Sequence, residues 1–114
     1  MILAKGEKVF LITRRSFPGD LRRHFVGEVL EVTDSAIRVQ GFAFIFDETI
    51  SQFIRRDDIR IRIFSLLDAG IVINILPEEV IIEDVHYIIN EKNHRVITDG
   101  KSFSMNVSEF AINR

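Results

Sequence analysis

The stretch Ile59-Arg60-Ile61-Arg62-Ile63 decides the fold class. Successive side chains on a β-strand point to opposite faces, so strict alternation of this kind marks a strand with one apolar and one polar face. The pattern predicts that the isoleucines face inward and the arginines outward. The same period returns at Phe103-Ser104-Met105-Asn106-Val107, where Ser and Asn form the polar face. The two stretches predict an all-β protein with a wet face and name no reaction.

Working outward, Lys8 to Thr13 reads as a first strand, rich in Val, Phe, Leu and Ile. Phe17-Pro18-Gly19-Asp20 has turn chemistry, because Pro presets φ and Gly accepts positive φ. Val26 to Thr33 is a second strand and Ala36 to Asp47 a third. The third alternates cleanly up to Gly41, then runs Phe42-Ala43-Phe44-Ile45-Phe46 with no polar face. Gly inside a strand marks a bulge or bend. A strand apolar on both faces is buried on both, here beneath the C-terminal region or another subunit. Ile50 to Ile54 reads as a turn or an irregular strand, and Asp58 to Leu66 contains the Ile/Arg strand.

Leu67-Asp68-Ala69-Gly70 predicts a hairpin turn leading into the strand Ile71 to Leu76. Pro77-Glu78-Glu79 suits the opening of one helical turn. Val85 to Ile89 is a further strand. Arg95 to Thr98 and Lys101 to Val107 read as a hairpin about a two-residue Asp99-Gly100 turn. The expectation is a single domain over residues 1–114, barrel-like over 1–66 and a β-meander extension over 67–114, with about eight short strands.

Composition bounds the function. A chain of 114 residues, 46% hydrophobic with ten Phe, can bury one real core. The absence of Cys removes disulfides, thiolate metal sites and Cys nucleophiles. The first residues carry Lys5, Glu7 and Lys8 and lack a signal-like apolar run, and no stretch reaches membrane-span length. A cytoplasmic protein without membrane attachment is expected. Residues 1–62 carry 11 Lys+Arg against 9 Asp+Glu, and residues 63–114 carry 4 against 8. That asymmetry suits an anionic ligand, contact between the basic and acidic faces of two copies, or no function at all.

Few residues suggest chemistry. His24, His86 and His94 have no metal-ligand spacing, so neither metal nor cofactor is expected. The carboxylate pairs Asp57-Asp58, Glu78-Glu79 and Glu83-Asp84 point to opposite faces on a strand and do not converge on one substrate atom. Ser102, Ser104 and Ser108 share a polar face with Asn106, and no nucleophile elbow or phosphate loop occurs. An enzyme is not expected. Arg14, Arg15, Arg22, Arg23, Arg38, Arg60 and Arg62 are the candidate nucleic-acid contacts, since guanidinium forks take phosphate bidentately. Against that, Asp20, Glu28, Asp57 and Asp58 dilute the patch and suit a merely solvated face. Phe42, Phe44 and Phe46 are candidates for core, for an interface or for a base-stacking platform.

From Val26 to Val39 the chain reads V-G-E-V-L-E-V-T-D-S-A-I-R-V. This resembles the first motif of Sm-like proteins and, more generally, SH3-like barrels. Gly27 takes the place of the family's Gly, Asp34 of its Asp and Ile37 of its apolar residue, while Arg38 stands where the family has an RNA-contacting Asn. The family's second motif, an apolar residue followed by Arg-Gly, is absent. The resemblance implies a small, strongly bent SH3/Sm-like barrel, here with a C-terminal β-hairpin extension, assembling into rings through edge strands and binding RNA after Asp34. The function expected is a non-catalytic module that self-assembles as a homo-oligomer or binds a partner. The alternative is an RNA or other nucleic-acid binder using the Arg-rich face.

Overall fold

The computed structural model describes residues 2–13, 22–68 and 70–108. Nine strands occur among them: β1 (Lys8–Thr13), β2 (Arg23–Val32), β3 (Ala36–Asp47), β4 (Gln52–Arg55), β5 (Arg60–Ser65), β6 (Ile71–Ile75), β7 (His86–Ile89), β8 (Arg95–Thr98) and β9 (Ser104–Asn106). One 3-10 turn spans Ile82–Asp84, and no α-helix appears among the described residues. The protein is all-β, built from two antiparallel sheets.

The first sheet has six strands. Its path runs β4-β3-β2-β1-β6, and β5 also pairs with β3. The twelve residues of β3 serve two neighbours on one side, with Ala36–Gly41 pairing to β5 and Phe44–Asp47 to β4. The change of neighbour comes just after Gly41, which lies opposite Gly27. A Cβ on Gly41 would sit 1.9 Å from the Val26 carbonyl oxygen, and one on Gly27 would sit 2.5 Å from that of Gln40. Two facing glycines therefore let the backbones of β2 and β3 approach where no other residue fits. Of the bulge or bend expected at Gly41, no bulge occurs there; the register shift between β2 and β3 lies between Val29 and Glu31.

Each face of this sheet buries its own core. On one, Val9, Leu11, Phe25, Val29, Ile37, Val39 and Ala43 cluster, joined by Phe64 from β5 and by Ile71 and Ile73 from β6. β5 and β6 are separated by β3, β2 and β1, so their side chains meet one cluster only because the sheet curls over it. β5 and β6 do not pair with each other among the described residues, and the curl leaves the sheet unclosed. On the other face, Phe10, Val26, Phe42 and Phe44 pack with Leu76, Val80, Val85 and Ile97, with Tyr87, Phe103, Met105 and Val107 against them. The covering layer is the second sheet, β7-β8-β9. Of the two covers predicted for the Phe-rich half of β3, the C-terminal region is the one observed.

Several expectations are corrected. The Ile/Arg strand faces the opposite way to the prediction: Ile61 and Ile63 are 58% and 65% exposed, whereas Arg60 and Arg62 are half-buried. The phase is set by Phe64, which shares a face with the arginines, pairs with Ile37 and meets the Phe25 ring at 5.5 Å between centroids. Among the described residues β5 and β6 form no hairpin, because β5 pairs with β3 and β6 with β1; Ala69 of the expected turn lies outside the described residues. By the same pairing β6, assigned to the extension from sequence, belongs to the first sheet. The segment expected as a turn or an irregular strand is a turn that leads into β4. At Pro77 the chain makes a single hydrogen-bonded turn, the Val80 N–H donating to the Pro77 carbonyl oxygen at 3.2 Å, and a separate 3-10 turn follows at Ile82–Asp84.

Asp99-Gly100 is not a two-residue turn. Thr98 pairs with Ser104, which leaves a five-residue loop between β8 and β9. Asp99 is buried in that loop, and its Oδ1 accepts the backbone N–H groups of Lys101 (3.0 Å), Ser102 (2.7 Å) and Phe103 (3.1 Å). Burial alone pushes this carboxyl up, but the three donors outweigh it and hold Asp99 well below the usual carboxylate range.

Candidate functional site

The curl leaves a cleft of about 910 Å³ on the concave face, between β5 and β6. Its lining follows from strand phase. Arg23 and Phe25 of β2, Ala43 and Ile45 of β3, Arg60, Arg62 and Phe64 of β5, and Ile71 of β6 alternate onto the side that carries the first core. Thr13, Ser65 and Asp68 add polar groups at the rim. The cleft therefore combines an apolar floor with three guanidinium groups.

These arginines differ in their partners. The Arg60 Nε donates to Asp58 Oδ2 at 2.8 Å, and this bond holds the Asp58 carboxyl below its ordinary value. The Arg62 guanidinium lies 6.0 Å from the centre of the Phe25 ring, at the outer limit of a cation–π contact. Among the described residues, no carboxylate lies within ion-pair distance of Arg62 or Arg23. The Asp68 Oδ1 accepts the Gly70 backbone N–H at 2.7 Å, which fixes the β5–β6 connection.

Of the seven arginines singled out from sequence, the structure brings together Arg23, Arg60 and Arg62. Arg38 lies on the opposite face, bonded to Glu31 at 3.0 Å. Arg22 stacks over Phe46, with its guanidinium carbon 4.8 Å from the ring centre. Arg14 and Arg15 lie outside the described residues. Phe42 and Phe44 are buried beneath the second sheet, and Phe46 is half-buried between Arg22 and Arg95.

A second cluster escaped the sequence reading. His24 stacks on Phe53 at 4.2 Å, and Phe53 stacks on Tyr87 at 4.8 Å. A hydrogen bond joins His24 Nδ1 to the Tyr87 hydroxyl. Arg95 covers Phe53 at 5.6 Å. Burial, followed by the Arg22 and Arg95 cations, lowers the His24 pKa to about 4. Burial also pushes the Tyr87 hydroxyl above its ordinary value. Both rings are thus neutral at neutral pH, and the cluster joins the two sheets. The available signal is phase: His24 lies two residues before Val26, on the same strand face. His86 and His94 lie apart from it, hydrogen-bonded to the Asp84 carbonyl (2.8 Å) and to Asn106 (3.1 Å). No group of three or more His, Cys, Asp or Glu suited to a metal ion occurs among the described residues.

No family model matches the chain, and no curated protein or solved structure matches it significantly. Among the described residues no helix is long and apolar enough to cross a membrane.

Proposed function

We propose that this chain is a non-catalytic binding module that assembles with copies of itself through the edge strands β5 and β6. The observation that carries this reading is the apolar outer face of β5. Ile61 and Ile63 stand 58% and 65% exposed on a strand that, among the described residues, pairs on one side only. β6 is also an edge, and its Val72 is 56% exposed. An unprotected apolar edge recruits another strand, and a contact between two different edges closes into a ring when the rotation allows.

The architecture proposed with it is an open SH3/Sm-like barrel. Support comes from the order β5-β3-β2-β1-β6, whose two ends flank the cleft and follow one another in the chain. Light scattering tests the proposal. The wild-type protein is expected to run as a multiple of the protomer mass across the micromolar range. Ile61→Lys with Ile63→Lys is expected to give a folded monomer, since both side chains already face solvent in the single chain. A wild-type monomer, or an unchanged oligomer in the double variant, refutes it.

A further inference from the structure

We propose that the concave cleft binds a phosphate ester that carries an apolar ring, the chemistry of a nucleotide, either free or within a single strand. Ile63 of the exposed isoleucine face also borders the cleft, but the site is built on the concave-face arginines and does not depend on assembly.

The argument begins with the unpaired charge. A guanidinium brought partly out of water is held at a cost unless an anion meets it. Arg62 is half-buried on the concave face, and neither it nor Arg23 has a carboxylate partner among the described residues. Asp58 engages a single N–H of Arg60, which has five. The acidic group at the rim, Asp68, is turned to the Gly70 amide. Three guanidinium groups exceed what one carboxylate ligand neutralises, and their forks match the oxygens of a phosphate.

The shape supplies the second half of the ligand. About 910 Å³ far exceeds the needs of inorganic phosphate and lies within the range of small-molecule sites. The floor is Phe25, Ala43, Ile45, Phe64 and Ile71, which suits a flat apolar body beside the charged group. Thr13 is no strong competitor for the anion, because its hydroxyl donates to the Arg23 carbonyl oxygen at 3.1 Å.

Fluorescence anisotropy with a labelled oligouridylate, alongside calorimetry with uridine monophosphate, tests the site. The oligonucleotide is expected to bind with strong salt dependence, and each neutralised arginine that touches phosphate should lower the logarithmic salt slope by about 0.7. Arg62→Gln and Arg23→Gln are each expected to weaken binding about tenfold, the loss of one charge-assisted contact. Arg62→Lys, which keeps charge but loses the fork, should fall between. Arg38→Gln makes the same change of charge on the opposite face and should leave affinity unchanged.

If the mononucleotide binds as tightly as the strand, the ligand is the free nucleotide; binding of the strand alone assigns a single strand. Should Arg62→Gln fail to fold by circular dichroism, the exposed Arg23→Gln gives the same readout. The site is overturned if neither probe binds below millimolar concentration, or if Arg38→Gln weakens binding as much as the cleft variants.

Discussion

Acidification should destabilise this protein in a window that His24 sets. The ring is buried between the two sheets, stacked on Phe53 and hydrogen-bonded through Nδ1 to Tyr87. Protonation would place a cation in a buried site and close to Arg22 and Arg95. The folded-state pKa is about 4, against 6.5 for an unburied histidine. The unfolded chain therefore takes up the proton more readily than the folded one. Stability is complete above pH 6.5, falls as pH drops from 6.5 towards 4, and loses nothing further to His24 below that. At about 1.4 kcal/mol per pH unit the loss comes to about 3 kcal/mol. That is a large share of the ~5–15 kcal/mol that holds a typical domain folded. Asp47, Asp58 and Asp99 are all depressed from an ordinary 3.8, so their losses fall below this window. Urea unfolding followed by far-UV circular dichroism, at fixed protein concentration from pH 7 to 4, measures the effect. His24→Phe keeps a ring against Phe53 but cannot titrate, and its profile should be flat between pH 6.5 and 4.5. An equal slope in wild type and His24→Phe, or no slope in wild type, refutes the reasoning.

Two further substitutions probe the frame and the cleft. Gly41→Ala puts a Cβ 1.9 Å from the Val26 carbonyl oxygen, where backbone must move, and should destabilise by at least the ~1–3 kcal/mol of ordinary overpacking; an unchanged urea midpoint would contradict the close approach of β2 and β3. Arg62→Met keeps an apolar stem over Phe25 and removes an unpartnered charge, so the ligand-free protein should melt at the same temperature or higher. A clear fall in melting temperature would mean that Arg62 supports the fold rather than a ligand.

Much of the frame was legible because it depends on neighbours in sequence. β1 and β3 begin and end where strand-forming residues give way to turn formers, and the doubly apolar run after Gly41 announced burial on both faces. Phase was not legible in β5. Alternation shows that the two faces of a strand differ, but which face turns inward is settled by the strand beside it. Phe64 and its partner Ile37 settle it here, across a gap of more than twenty residues. The Asp99 loop failed for a similar reason, since a buried carboxylate gathering three N–H groups outweighs the preference of Asp-Gly for a tight turn. The site residues were visible as a type, not as a group. Arg23 and Arg62 are far apart in sequence, and only the curl of the sheet places them in one cleft while leaving Arg38 outside it.

The orientation of β5 links the two proposals. A slip of one residue turns every side chain of a strand to its other face. The opposite phase would bury Ile61 and Ile63 and expose Arg60 and Arg62, at the cost of exposing Phe64. Burying a large aliphatic side chain contributes about 1.5–3 kcal/mol, and Phe64 falls in the same range. Counted on apolar area alone, two isoleucines outweigh one phenylalanine, so the packing of Phe64 on Ile37 and Phe25 holds the observed phase at a cost in exposed area. That cost is offset when, as proposed, a second copy covers Ile61 and Ile63 and an anion meets Arg60 and Arg62. On the two proposals both departures from the simple rule have one cause, contacts of β5 outside its own chain on both of its faces.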